Sequence, residues 1–167
     1  RESAGVPKFV HNSVDYKLKE THEYTMILPD SYYGTGSYTN WIKVGWALAS
    51  TDPKMLLTWI KFSSKSKEFD WNSISDLFDK WKTFDFDNPD NLTHRSIMYW
   101  AKRNSPLEYK KIRENTVDYF IQESLSMTEF DLANVLFNIY KDQYVCVSIK
   151  NNCWYEYKNN RWYEIDC

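Results

Sequence analysis

Apolar residues recur at positions i, i+3, i+4 and i+7 in several consecutive segments, which is the spacing of one face of an α-helix. Five segments between residues 40 and 123 show it, and the short loops between them predict antiparallel helices packed into one bundle. A further short helix is predicted over residues 16–28, and residues 1–15 are predicted to be a linker. The apolar positions of the five helices are Trp41, Val44, Gly45 and Leu48; Met55, Trp59 and Phe62; Ile74, Leu77, Phe78 and Trp81; Ile97, Trp100 and Ala101; and Tyr109, Ile112, Thr116 and Phe120.

Helix starts are indicated by residues that cap or open a helix. Asparagine, serine and threonine accept hydrogen bonds from the first free backbone amides, and proline is tolerated at the first helical position because no N–H is needed there. The candidate caps are Asn40, either Asn72 or Ser73, Thr93 and Thr128, and the candidate opening prolines are Pro53 and Pro106.

The pattern changes after Ser126. A helix with an apolar stripe is followed by three short segments of period-2 alternation, at 143–149, 153–157 and 161–165, which are separated by asparagine-containing turns. We therefore predict a mostly α fold, with a compact helical bundle over residues 16–125 and, over residues 126–167, a helix and a small antiparallel β-meander. The stripe of the last helix consists of Leu132, Val135, Leu136, Ile139 and Tyr140.

The composition excludes several classes of site. Aromatic residues make up 18% of the chain, which predicts a substantial aromatic core, but there are only 4 Gly and no G-x-x-x-x-G-K-[ST] sequence to form a triphosphate-binding loop. The three histidines and three cysteines lack metal-ligand spacing, so we predict no metal, no cofactor and no catalytic residue in this segment. The cysteine pattern fits a reducing compartment, and no apolar run is long enough for a membrane span.

One acidic pair keeps an enzymatic alternative open. Asp85 and Asp87 form an Asp-x-Asp sequence, an arrangement that can hold divalent ions for nucleotidyl transfer. The pair lies beside Pro89, where a loop that ends a helix is the interpretation we favour, because paired metal ligands need a rigid support.

Charge is distributed in blocks although the net charge is only −2. Acidic residues dominate 68–90 and 114–131, and basic residues dominate 95–113. Such blocks are either solvated faces or, for the basic block, a surface that contacts phosphate. The basic block also contains aromatic rings, and cations beside aromatic rings can hold single strands without sequence preference. The Ser-Ser-Lys-Ser-Lys loop after residue 62 is a second candidate. It either offers further hydrogen-bond donors to phosphate oxygens or is a plain interhelical turn. The candidate nucleic-acid-binding residues are Lys65, Lys67, Tyr99, Lys102, Arg103, Tyr109, Lys110 and Lys111.

Several spaced tryptophan motifs resemble a known family. In their order along the chain they are similar to the primase C-terminal helical domain of the second type, followed by the start of a poxvirus-type helicase amino-terminal region. Together they resemble the primase–helicases of nucleocytoplasmic large DNA viruses. The motifs are Trp41–Leu48, Trp59–Ser66, Trp81–Phe84, Leu92-Thr93, Ile97–Lys102, Tyr144–Ile149, Trp154–Tyr157 and Arg161–Glu164.

The resemblance implies a parent protein with an upstream primase and a downstream hexameric ATPase that uses ATP and Mg²⁺. It implies no catalytic residues within this segment. We expect a non-catalytic DNA-handling and coupling segment, with single-stranded or primer–template DNA and the neighbouring primase and helicase domains as partners, in a homo-oligomeric parent at viral replication sites in the host cytoplasm or nucleus. The alternative is a structural scaffold or oligomerisation collar that does not contact DNA.

Overall fold

The computed structural model describes residues 8–84, 90–126, 128–159 and 161–165, with side chains from residue 15 onward except those of residues 123 and 126. Seven α-helices and three strands lie in this described part, joined in places by short 3-10 turns. The helices are α1 (Lys8–Met26), α2 (Tyr38–Ala49), α3 (Leu56–Ser63), α4 (Ile74–Thr83), α5 (His94–Asn104), α6 (Pro106–Glu123) and α7 (Glu129–Tyr140), and the strands are β1 (Tyr144–Ser148), β2 (Cys153–Lys158) and β3 (Arg161–Ile165).

The core of the helical bundle is built around Trp59, whose side chain is fully buried. Trp41 stacks on it with the ring centroids 4.8 Å apart, and Phe84 meets it edge-on at 4.9 Å. The hydroxyl of Ser63 also links α2 to α3, since it accepts a hydrogen bond from Nε1 of Trp41 and donates one to the carbonyl oxygen of Trp59. The prediction that Trp59 lies on an inward stripe is confirmed.

Helix α1 begins at Lys8, so the predicted linker is wrong for residues 8–15, and residues 1–7 lie outside the described part. The inward face of α1 is partly polar, because Glu20, Thr21 and Thr25 are buried beside the apolar rings. The two threonine hydroxyls donate to the carbonyls four residues earlier, which satisfies them inside the helix. A polar inward face weakens the apolar periodicity of this part of α1.

The predicted helix starts are mostly confirmed. Thr93 forms a capping box with Ser96, and Pro106 opens α6. Pro53 opens a 3-10 turn, Pro53–Met55, that leads directly into α3. The prediction of Asn40 as a cap is wrong, because α2 already begins at Tyr38 and the side chain of Asn40 donates to the carbonyl oxygen of Ser31 instead.

One member of the predicted α4 stripe is on the other side of the helix. Leu77 is buried as expected, but Phe78 is exposed, with the ammonium group of Lys82 lying 4.3 Å from its ring centroid. Successive positions on a helix differ by about 100°, so only one of two neighbouring apolar residues reaches the centre of a narrow interface. The inward placement of Phe78 was wrong.

The carboxyl-terminal region contains α7 and the three strands. Thr128 caps α7 in a reciprocal capping box with Asp131, as predicted. The strands form an antiparallel sheet in the order β1-β2-β3, and Asn152 and Asn159 take the left-handed backbone conformation in the turns between them. The predicted fold class, a helical bundle followed by a helix and a small antiparallel β-meander, is confirmed.

The predicted apolar stripe of α7 does not face inward. Leu132, Leu136 and Tyr140 are exposed, whereas Asp131 and Asn138 are the buried residues of this helix. The polar pair is buried because it serves the ends of the helix: Asp131 belongs to the amino-terminal capping box, and Asn138 donates to the carbonyl oxygen four residues earlier.

The described chain divides into two compact units, one up to Ile112 and the other from Arg113 onward. The division therefore falls within α6. The domain boundary placed near Leu125 from the sequence stays a prediction, because packing within each unit does not test where a helicase-related region starts.

Candidate nucleic-acid interface

Helix α5 is fixed at its start by a reciprocal cap. The amide of Arg95 donates to the hydroxyl oxygen of Thr93 at 3.3 Å, and the amide of Thr93 donates to the hydroxyl oxygen of Ser96 at 3.2 Å. Ile97 and Ala101 are completely buried, so their side of α5 faces the core. The capped start and the buried side together determine which side chains of the helix face solvent.

Four side chains lie on the opposite side of α5, and we call them the α5 outer stripe. At about 100° per residue they cover one outward arc, and the axial distance between the first and the third member is roughly 10 Å. The helix contains no acidic residue, so nothing on it neutralises this charge. The α5 outer stripe consists of Arg95, Tyr99, Lys102 and Arg103.

Tyr99 is the ring in the stripe that is open to a stacking partner. Its side chain is 58% exposed, and no hydrogen bond or ring contact holds it among the residues that the structure describes. Arg95 precedes it by one turn, while Lys102 and Arg103 follow it by one turn, so cations surround the ring on its own helix. A ring placed between cations is the arrangement that holds a base and its flanking phosphates.

The carboxyl end of α5 rests on Tyr32. The rings of Trp100 and Tyr32 lie 5.7 Å apart, and the side-chain amide of Asn104 donates to the Tyr32 hydroxyl oxygen at 3.3 Å. Burial raises the pKa of Tyr32, whereas the amide of Asn104 and the nearby charge of Arg103 oppose that rise. The side chain of Arg103 itself remains exposed.

The sequence candidates on α6 are divided between surface and core. Lys110 and Lys111 are exposed on its first turns. Tyr109 is buried and stacks on Tyr24 with the centroids 4.8 Å apart. One face of the Tyr109 ring is thus covered by Tyr24, so we leave Tyr109 out of the interface that we propose.

Lys65 is turned into the protein, unlike its neighbour Lys67, which is exposed. Its ammonium group donates to the carbonyl oxygens of Met26 at 2.9 Å and Leu28 at 3.3 Å, and it lies 4.2 Å from the ring centroid of Tyr33. Burial lowers the pKa of Lys65. Its contacts are those of a group that satisfies the carbonyls at the end of α1.

A second cation–aromatic cluster was not found from the sequence. The ammonium group of Lys80 donates to the hydroxyl oxygen of Tyr38 at 3.1 Å and lies 5.1 Å from the centroid of that ring and 5.8 Å from that of Trp41. Lys80 and Tyr38 are 42 residues apart in the chain, so only the packing of α4 against the start of α2 reveals the pair. Tyr38 is exposed and its Lys80 contacts lie on the surface.

The structure does not test the enzymatic alternative, because Asp85 and Asp87 lie outside the described residues. Within the described ranges, no three His, Cys, Asp or Glu side chains come together as a metal site would require. None of the helices that the structure describes combines the length and apolar character needed to cross a membrane.

The comparison with protein families identifies the helical bundle. The family Primase C terminal 2 (PriCT-2) matches residues 22–101, a range that runs from the carboxyl-terminal part of α1 to the buried Ala101 of α5. Residues 22–101 therefore belong to the family of primase C-terminal domains of the second type, as the tryptophan motifs indicated.

The curated relatives are viral proteins. A protein of Acanthamoeba polyphaga mimivirus named as a "putative helicase" is 34% identical over 130 residues, which is 77% of this chain and 13% of that protein. A protein of African swine fever virus named as a "putative primase" is 28% identical over 155 residues, which is 86% of this chain and 16% of that protein. The chain thus spans less than a fifth of the length of either relative.

Proposed function

We propose that this chain is a non-catalytic, nucleic-acid-handling segment of a viral DNA-replication protein, in which it links a primase to a hexameric helicase. Its relatives support this, because one is named as a helicase and another as a primase, and both are much longer than the chain. We assign ATP and Mg²⁺ to the helicase of that parent, since the four glycines of this chain cannot form a triphosphate-binding loop.

The observation that carries the nucleic-acid role is the α5 outer stripe. A length of roughly 10 Å corresponds to about three nucleotides of a stacked strand, whose rise along its axis is about 3.4 Å per nucleotide. We propose that one base stacks on Tyr99 and that Arg95, Lys102 and Arg103 contact the adjoining phosphates. Because backbone contacts and stacking read no base edge, this binding has little sequence preference.

The experiment is a salt titration of binding to a fluorescent oligothymidylate, measured by anisotropy with the complete chain. Affinity is expected to fall steeply with salt concentration, because bound cations displace counterions from the strand. The double variant Lys102→Ala/Arg103→Ala should flatten the logarithmic slope by about 1.4, that is about 0.7 for each lost phosphate contact.

The matched control removes two charges elsewhere. Lys54 and Lys61 are exposed residues of the 3-10 turn before α3 and of α3 itself, so Lys54→Ala/Lys61→Ala changes the net charge by the same amount without touching α5. We expect the control to keep a slope close to that of the unaltered chain. Absent or salt-insensitive binding, or an equal effect of both double variants, would refute the role of the stripe.

A further inference from the structure

Helix α7 presents an apolar face to solvent. Six large apolar side chains of this helix are between 37% and 64% exposed, whereas the residues that it buries within its own unit are polar. An ordinary surface helix has the opposite arrangement, with its apolar stripe buried and its polar side exposed to solvent. The exposed side chains are Phe130, Leu132, Leu136, Phe137, Ile139 and Tyr140.

The face is wide and almost uncharged. At about 100° per residue, these six side chains and Ala133 cover roughly half of the helix circumference. On this half of the helix surface, the ionisable side chains are the phenol of Tyr140 and the carboxylate of Glu129 at the amino end. Such a helix gains free energy when the face is covered, since burial of apolar area contributes about 25 cal/mol per Å².

The size of the face is close to what a stable dimer requires. The exposed fractions correspond to roughly 600–700 Å² of apolar side-chain surface, which exceeds the largest patch of a typical monomer and approaches the roughly 800 Å² that each partner contributes to a stable interface. We propose that two copies of this chain associate by pairing their α7 helices through this face. This inference goes beyond the proposed nucleic-acid role and does not depend on it.

Charge determines the direction of the pair. Glu129 lies at the amino end of α7, and Lys141 follows the carboxyl end. In an antiparallel pair about a twofold axis, the amino end of one α7 lies beside the carboxyl end of the other, so Glu129 lies near Lys141 of the partner subunit. The two helix dipoles then point in opposite directions, which is favourable. A parallel pair would bring the two Glu129 carboxylates together, so the antiparallel arrangement is the favourable one.

Both ends of α7 are fixed before any partner binds. The capping box between Thr128 and Asp131 holds its start. The guanidinium of Arg113 donates to the carbonyl oxygens of Asn138 and Ile139 at 3.0 Å each and forms an ion pair with Asp142, which together hold its end. A helix ordered in this way loses little conformational entropy on association.

The test is analytical ultracentrifugation of the complete chain across a wide concentration range. The mass should rise from 20.1 kDa toward twice that value with increasing concentration. Leu136→Glu should raise the dissociation constant roughly a hundredfold, because the pair would bury an unpaired carboxylate. Leu107→Glu is the matched control, since Leu107 is a 73% exposed leucine of α6, and it should leave the dimer unchanged.

Two further measurements distinguish a lost contact from a folding defect and determine the direction of the pair. Helical content from circular dichroism should be equal in both leucine variants, because neither side chain is buried in the monomer. Glu129→Lys should weaken the dimer and the added change Lys141→Glu should restore it if the helices are antiparallel. A chain that stays monomeric, or a dimer that is indifferent to Leu136→Glu, would overturn the proposal, and failure of the charge swap to restore association would overturn the antiparallel arrangement.

Discussion

Gly45 of α2 and Phe84 pack so closely that a Cβ atom on Gly45 would lie 2.5 Å from Cε2 of the Phe84 ring. The same atom would lie 3.0 Å from Nε1 of Trp59, the ring at the centre of the core. The absence of a side chain at residue 45 therefore allows α2 to approach these two rings.

We predict that Gly45→Ala destabilises the chain. Alanine in a helix interior ordinarily stabilises by about 1 kcal/mol relative to glycine, but an extra methyl group in a filled core costs about 1–3 kcal/mol, and at these distances the second effect should prevail. Urea unfolding followed by tryptophan fluorescence measures the net change. Ser75→Ala, at an exposed position of α4, is the control and should change the free energy of unfolding little. A more stable Gly45→Ala chain would show that Phe84 moves aside freely.

Lys65 should stabilise the fold. Replacing it with methionine keeps most of the volume of the side chain but leaves the carbonyl oxygens of Met26 and Leu28 without their charged donor, so we expect a loss of about 1–3 kcal/mol in the free energy of unfolding. Lys67→Met, two residues away on the surface, should lose almost nothing. Equal losses for the two variants in a denaturant titration would contradict this assignment.

The stability of the chain should fall in mild acid, in part because of His22. Nδ1 of His22 lies 2.9 Å from the hydroxyl oxygen of Thr58, and partial burial, assisted by the charge of Lys61, lowers the pKa of His22 from its usual 6.5. Since the unfolded chain then binds the proton more tightly, stability is complete above about pH 6.5 and declines as the pH drops from there toward the lower pKa of the folded state.

The check is the slope of unfolding free energy against pH between neutral and mildly acidic buffer. His22→Gln retains a hydrogen-bonding side chain without the titration, so the slope should become smaller while His11 and His94 remain as internal controls. An unchanged slope would mean that the His22 ring titrates normally in the folded chain.

Arg113 should hold the end of α7 through geometry that lysine cannot supply. Its forked guanidinium reaches the carboxylate of Asp142 at 2.6 Å and two backbone carbonyls at once. Arg113→Lys should therefore lower the protection of the last α7 amides from hydrogen exchange, by an amount equivalent to about 1–3 kcal/mol. Asp142→Asn leaves both carbonyl contacts in place and should have the smaller effect. The reverse order would indicate that the ion pair dominates.

Much of the fold was predictable because short helices with apolar stripes repeat at regular spacing, and because Thr93 and Thr128 are effective caps. The beginning of α1 was not, since residues 8–15 show no apolar periodicity at helical spacing. The outward side of α7 was also hidden, because an apolar stripe carries no information about which surface covers it.

The candidate site was predictable only where its residues share one helix. Tyr99, Lys102 and Arg103 lie within two turns, so their spacing alone places them on one side of α5. Tyr109 is likewise an aromatic residue beside lysines in the sequence, but it belongs to the core. The contact of Lys80 with Tyr38 depends on tertiary packing, which the sequence pattern does not show. As nucleic-acid ligands, all eight candidates stay predictions: Lys65, Lys67, Tyr99, Lys102, Arg103, Tyr109, Lys110 and Lys111.

The most direct test of the account is photocrosslinking of the complete chain to a single strand that carries 5-iodouracil, followed by mass spectrometry of the crosslinked peptides. A base stacked on Tyr99 should crosslink to the α5 peptide, the yield should drop sharply in Tyr99→Leu, and it should persist in Tyr109→Phe, where the buried ring is retained. Crosslinks that map elsewhere while α5 remains unlabelled would contradict the claim that the α5 outer stripe holds the strand.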